Sequence, residues 1–284
     1  MKKTFALMVA FFALTVVFTS CTKEGQYMPN KKISEIVYTR SHKTGELIVS
    51  TKQSEKWTWG GDLLSYIDYY DSDDHRVGTL IFRYDDDKRI EEAEDGTYSV
   101  KYDYDDGHLD EIEISRLATG KTYRKMNFDY KGGKLASIEI TTYDYDQKDN
   151  EPLVFNPLRF VLSDEVAEAV MSMPASKGVE HLTITWTGNN ITEITSGTYY
   201  AKWTYDDKVN PFKGFFNVDY SISETRSANN PIREEISRDG KVSVVEYNYE
   251  YDGKYPTKVK YQTESSTLVP GYTLTVDNVA EYHY

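Results

Sequence analysis

Cysteine is almost absent from this chain: there is one, Cys21, in 284 residues. A lone thiol excludes a disulfide framework, a redox pair and a cysteine-built zinc site. Histidine is scarce as well. His42, His75, His108, His181 and His283 form no HExxH or HxH pattern. There is no GxSxG elbow and no phosphate loop. Acids are abundant, so a pair suited to glycoside hydrolysis is never excluded, but no spacing selects one. The residues therefore point away from an enzyme, and no cofactor is expected. Basic charge is in deficit, 33 Lys and Arg against 46 Asp and Glu, for a net charge of −13. That balance argues against nucleic acid and against an anionic membrane surface as partners. Alanine and leucine are sparse. The one long apolar run, residues 5–18, is too short for a comfortable membrane helix.

What is present at the start is a leader pattern. Lys2 and Lys3 precede the apolar run, which ends in Phe18-Thr19-Ser20-Cys21. A small residue directly before a cysteine resembles the lipobox of bacterial lipoproteins. The resemblance implies cleavage before Cys21 and a diacylglycerol on its thiol. The expected organisation is a signal peptide over 1–20, a lipidated flexible tether over 21–31, and one domain over 32–284. The expected location is the cell envelope, with the outer membrane as partner through the lipid.

Tyrosine, at 25 copies, is the other conspicuous feature. Aromatic and β-branched residues suit a pleated, half-buried surface. Seven stretches share one pattern: WTWGGDLLSYI (57–67), FRYDDDKRIEEAE (82–94), YDYDDGHLDEIEI (102–114), FDYKGGKLASIEI (128–140), ITWTGNNITEITS (184–196), WTYDDKVNPFKGF (203–215) and YEYDGKYPTKVKY (249–261). The common form is aromatic, any residue, Tyr or Trp, then a short polar turn, then two apolar residues three apart. Alternation before the turn puts Val100, Tyr102 and Tyr104 on one strand face. Gly107, Gly132 and Gly133 supply the positive φ of tight turns. Two apolar residues three apart, such as Leu109 and Ile112, cannot share a face of a regular strand, which predicts a bulge. Asp103, Asp105 and Asp106 are oxygen ligands of the kind calcium takes. Their spacing does not fit an EF-hand loop, and other copies replace them with Lys131, Thr187 or Lys254, so they read as solvated turn carboxylates.

The fold expected is all-β: a large antiparallel up-and-down barrel, or a strongly curled sheet, of about seven hairpins. Charged residues in nearly every strand place its polar face outward. Strands of six to eight residues would also be short for a membrane wall. An insertion at about 150–180 carries one helix over 163–172, with Leu162, Val166, Ala169, Val170 and Met173 as its apolar stripe. A cut hairpin is also legible. Ile33, Ile36 and Tyr38 match the half after the turn, and Tyr282 with Tyr284 matches the half before it. Pairing of residues 33–38 with residues 279–284 would remove two sheet edges.

The lipobox, KKISEIVY, the hairpins, NPL, WTYDDKVNPFKGF and SANNPIREE with YNYEYDGKYPTKV together resemble a family of Bacteroides-type lipoproteins. The hairpins resemble YD repeats more loosely. That family is described as porin-like in fold and has no catalytic residues to carry over. The resemblance covers essentially the chain after the leader and implies a closed or nearly closed barrel. For function, a binding barrel is expected, with a glycan or small hydrophobic ligand stacking on Trp57, Trp59, Trp186, Trp203, Tyr70 or Tyr200. The Trp residues also fit as core. The alternative is a monomeric scaffold or adhesin-like protein with a protein partner.

Overall fold

The computed structural model describes residues 23–44, 47–143, 178–197, 199–216, 221–238, 240–266 and 273–284. The expected helix over 163–172 and Cys21 lie outside them. The described residues form one antiparallel sheet. Its strands are β1 (Glu35–Thr44), β2 (Leu47–Gly60), β3 (Leu63–Tyr70), β4 (Arg76–Tyr84), β5 (Ile90–Glu94) and β6 (Tyr98–Asp105). Then come β7 (His108–Arg116), β8 (Thr122–Lys131), β9 (Lys134–Thr142), β10 (Gly178–Thr187), β11 (Asn190–Ser196) and β12 (Tyr199–Tyr205). The last are β13 (Pro231–Arg238), β14 (Lys241–Glu246), β15 (Asn248–Asp252), β16 (Tyr255–Ser266) and β17 (Thr273–His283). A short helix, α1 (Ile222–Arg226), lies between β12 and β13.

Consecutive strands pair in sequence order except β14 and β15, and β1 also pairs with β17, so the sheet curls into a ring. An all-antiparallel ring needs an even number of strands. The odd count arises because β14 and β15 are two stretches of one strand, parted at Tyr247. β14 pairs with β13, and β15 pairs with β16. Beyond Tyr247 the wall opens into a seam of about 590 Å³ lined by Val244, Glu246, Tyr261 and Asn278. The cut hairpin is rejoined as its halves imply: Ile36 lies opposite Tyr282 and Tyr38 opposite Ala280.

The bulge recurs at one place. Register shifts just before Trp59, Tyr84, Tyr104, Tyr130, Trp186, Tyr205 and Tyr251, the second aromatic of every copy. The inserted residue explains the three-residue spacing after the turn. It also sets a hydrogen-bonding problem. The ladder from β7 to the next hairpin begins at Glu111, so the carbonyl of Leu109 lies beyond it. Tyr130, from that next hairpin, donates its hydroxyl to this carbonyl at 3.0 Å. The same bond recurs around the ring. Trp59 donates to Ile33 O (2.7 Å), Tyr84 to Leu64 O (2.7 Å) and Tyr104 to Ile90 O (2.8 Å). Trp186 donates to Leu135 O (2.7 Å), Tyr205 to Ile191 O (2.5 Å) and Tyr284 to Pro256 O (2.9 Å). Apart from Ile33, which precedes β1, each acceptor is a carbonyl that the bulge removed from the ladder.

Inward positions carry Ile36, Tyr38, Ile67, Phe82, Tyr102, Ile112, Phe128, Ile138, Ile184, Ile194, Trp203, Val259 and Tyr282, all buried. Outward positions carry cross-strand ion pairs: Arg83 with Glu92 and Glu94, Lys125 with Glu111, Lys202 with Glu193, Lys258 with Glu281. Each contributes little to stability in water. As a belt they are incompatible with a lipid-facing wall. The length argument made from the sequence is corrected. β2 has 14 residues and β16 has 12, because strands continue past the repeat unit.

Two expectations fail at the hairpin-tip end. WTYDDKVNPFKGF is not a hairpin. Tyr205 pairs across to Pro231, and residues 206–216 and 221–230 fold inward instead. Phe215 reaches Tyr27 (4.7 Å between ring centres), Trp57 (5.0 Å) and Phe82 (5.5 Å). Asn210 holds the loop by donating to Glu224 O (2.5 Å) and Ser227 O (2.9 Å). Nor are residues 23–31 a free tether. Tyr27 is buried and donates to Pro211 O at 2.8 Å, and Ile90 N–H donates to Gly25 O at 3.1 Å. A Cβ on Gly25 would lie 2.3 Å from the Tyr104 hydroxyl, so the close approach requires glycine. These two segments plug one end of the barrel.

Three stability outcomes are expected in urea titrations. Tyr84→Phe and Tyr104→Phe should each lower stability by about 1–2 kcal/mol, because each strands a carbonyl, while Tyr70→Phe should change nothing. Phe215→Ala should lower it by about 3–5 kcal/mol through the cavity left. Deleting residues 279–284 should destabilise the whole domain, since β17 binds both β1 and β16.

Candidate functional site

At the plugged end lies a cleft of about 600 Å³ between the N-terminal strap, the loop before β13, and the turns of three hairpins. Its floor is an ion pair between segments far apart in sequence. Arg226, at the end of α1, donates Nη1 to Glu24 Oε1. The Arg226 side chain is only 7 % exposed. Its guanidinium packs on the rings of Phe216 (4.6 Å), Phe128 (5.5 Å) and Tyr130 (5.8 Å). Its Nη2 is buried without a hydrogen-bond acceptor among the described residues. Glu24 also meets His108 Nδ1 at 3.0 Å, accepts from Leu109 N–H at 3.2 Å, and lies 3.2 Å from the Tyr130 oxygen, whose one hydrogen it shares with Leu109 O. The His108 ring stacks on Tyr130 at 4.5 Å.

The walls are basic and aromatic. Lys23, Lys134, Lys213 and Arg226 line the cleft, with Glu24 as its one acid among the described residues. Lys134 lies 5.6 Å over the Trp186 ring and donates to Gly188 O at 2.5 Å. A basic cleft in a chain of net charge −13 favours an anion by local potential rather than by total charge. The flat faces of Trp186 and of the His108–Tyr130 stack suit a ring with an apolar face.

The aromatic residues singled out in the sequence do not form one platform. Trp57 and Trp203 are buried. Trp59 sits on the rim with Lys32 at 5.6 Å over its ring. Tyr70 and Tyr200 are on the outer face beneath Lys56 (4.3 Å) and Lys202 (4.6 Å). Trp186 alone of the six lines the cleft. Asp103, Asp105 and Asp106 are exposed at a hairpin tip. Among the described residues no three His, Cys, Asp or Glu side chains converge as for a metal ion. Glu24, His108, Tyr130 and Arg226 were not foreseen. Nothing in the sequence links positions 202 residues apart. The signal that was available is Ser221-Ile-Ser-Glu224, a capping box that starts the helix carrying Arg226.

Two buried carboxylates lie inside the wall, each gripped by an indole and a phenol. Glu55 accepts from Tyr38 Oη and Trp57 Nε1, both at 3.1 Å. Glu234 accepts from Trp203 Nε1 and Tyr247 Oη, both at 2.8 Å. Burial pushes the Glu234 carboxyl up to about 7, against the downward pull of the Tyr247 and Trp203 bonds. Burial likewise pushes Glu224 up to about 7, offset in part by Ser221. Between the unfolded value of about 4.3 and about 7, the folded chain holds protons that the unfolded chain has released. Stability therefore falls as pH rises through that window. Urea titrations at pH 5 and pH 7.5 should show this loss, and Glu234→Gln should remove part of it.

No protein-family model and no curated protein sequence matches the chain. Among solved structures, a porin-like protein from Bacteroides uniformis superposes with a TM-score of 0.52 at 13 % identity, covering 90 % of this chain and 98 % of that one. A porin-like protein from Bacteroides vulgatus gives a TM-score of 0.29 at 11 % identity, covering 89 % and 98 %. A Tc holotoxin pore from Photorhabdus luminescens gives 0.23 at 9 % identity, covering 78 % of this chain and 13 % of that one. The first shows that the fold is porin-like. The other two carry nothing further.

Proposed function

We propose that this protein is a lipid-anchored barrel of the bacterial cell envelope that binds a ligand without transforming it. The ligand class is a saccharide bearing a negative charge, and its site is the cleft at the plugged end. The observation that carries this reading is Arg226, buried with one nitrogen lacking an acceptor among the described residues, in a cleft whose walls are Lys134, Lys213, Trp186 and the His108–Tyr130 stack. Cations answer the anionic group and ring faces answer the sugar's apolar face. The porin-like fold is compatible with such a role and with an envelope location. The lipid on Cys21 supplies the membrane attachment, because the charged outer wall gives none.

Titration calorimetry with a panel of acidic and neutral oligosaccharides tests the binding. Acidic members should bind, and Trp186→Ala or Lys134→Ala should each weaken them about tenfold, a loss near 1.4 kcal/mol. Equal binding of neutral members, or no effect of either substitution, would overturn the assignment of the cleft. Attachment is tested separately: Cys21→Ser should yield a folded protein that partitions to the aqueous phase.

A further inference from the structure

We infer that the hairpin-tip end of the barrel lies against the bilayer, so that the cleft opens onto the headgroup layer. This rests on the anchor reading above. Lys23 is docked on the barrel by its ion pair with Asp87, 2.8 Å, in the turn between β4 and β5. One residue, Thr22, separates it from Cys21, and two Cα–Cα steps reach at most about 7 Å. A lipid on Cys21 would therefore hold that rim at the membrane surface. The opposite end stands off by the height of the wall, about 30 Å for strands of nine or ten residues.

The rim suits that position independently of the anchor. Cations cap its aromatic rings: Lys31 over Tyr284 at 4.5 Å, Lys32 over Trp59 at 5.6 Å, Arg89 over Tyr104 at 4.5 Å, Lys134 over Trp186 at 5.6 Å. Tyr and Trp paired with Lys and Arg are the residues that settle at a bilayer interface, where phosphates meet apolar surface. Strap lysines neutralise three of the tip aspartates, Asp87 through Lys23 and the two that follow, while Asp86, Asp105 and Asp106 stay exposed. Lys31 pairs with Asp252 at 3.0 Å and Lys32 with Asp62 at 2.9 Å. The partner of this face is then the bilayer itself. A saccharide reaching the cleft would be lipid-linked, lying in the headgroup plane.

The test uses the lipidated protein in phosphatidylcholine vesicles containing a headgroup-labelled quencher lipid. With Cys21 acylated, an introduced cysteine is the one reactive thiol. Fluorophores are placed on Asp86→Cys or Lys254→Cys at the tips, and on Asp73→Cys or Thr119→Cys at the far end. Tip probes should be quenched several-fold more than far-end probes. Equal quenching at both ends, or stronger quenching at the far end, in protein that floats with the vesicles would overturn the orientation and leave anchoring intact. Protein that does not float with the vesicles would overturn the anchor reading and this inference with it.

Discussion

The barrel depends on how it treats one carbonyl per hairpin. A bulge next to each turn adds a residue to the returning strand, which raises twist and lets a wide sheet close. The same bulge takes the carbonyl of the first apolar residue after the turn out of the ladder. Left dry and unpaired, that group would be unfavourable by roughly 1–3 kcal/mol. The second aromatic of the next hairpin reaches back and donates to it. Tyr and Trp meet both demands at once, with a large apolar body for the core and one donor at its far end. Phe at these positions would supply the body alone. Curvature and closure are thus tied to an aromatic residue that carries a donor, Tyr or Trp, at one place in each hairpin.

The ring of bonds also shows what kind of object the termini make. Tyr284 donates to Pro256 O, and Trp59 donates to Ile33 O. The two chain ends therefore take part as donor and acceptor halves of one more hairpin. The interrupted place is at β12 and β13, where the hairpin turn is replaced by residues 206–230. There Tyr251 finds the Asp206 carboxylate in place of a carbonyl, and Tyr247 N–H takes Ile232 O at 2.9 Å. The wall parts just beyond Tyr247, so the seam lies beside the hairpin whose turn became part of the plug.

Much of this was legible in the sequence because its causes are local. Alternation set the inward face, Gly and Asp set the turns, and the three-residue spacing at Leu109–Ile112 announced the bulge. The cut hairpin was legible because its halves repeat a pattern seen seven times. What could not be read was long-range. The spacing of Phe212 and Phe215 imitates the returning half of a hairpin, yet Pro231 holds that place in the register. The local pattern was ambiguous, and the choice is made by burial of Phe215 among Tyr27, Trp57 and Phe82. Glu24 read as a polar residue in a tether because its four partners come from three distant segments.

The plug explains why the candidate site is at this end. A ring of sixteen strands leaves more space than wall side chains fill, so its axis must be occupied by segments that are not wall. The N-terminal strap and the loop before β13 supply them, with Tyr27, Phe212 and Phe215 as their apolar faces. Where such segments meet the hairpin tips, the packing surface is irregular and its polar groups must find partners across chain breaks. Arg226 and Glu24 are that partnership. A guanidinium has five donors in a fixed fork, and one carboxylate with two oxygens cannot meet them all. The unmet donor among the described residues is a consequence of closing the barrel with two short pieces instead of one, and it leaves a positive group on the floor of the cleft.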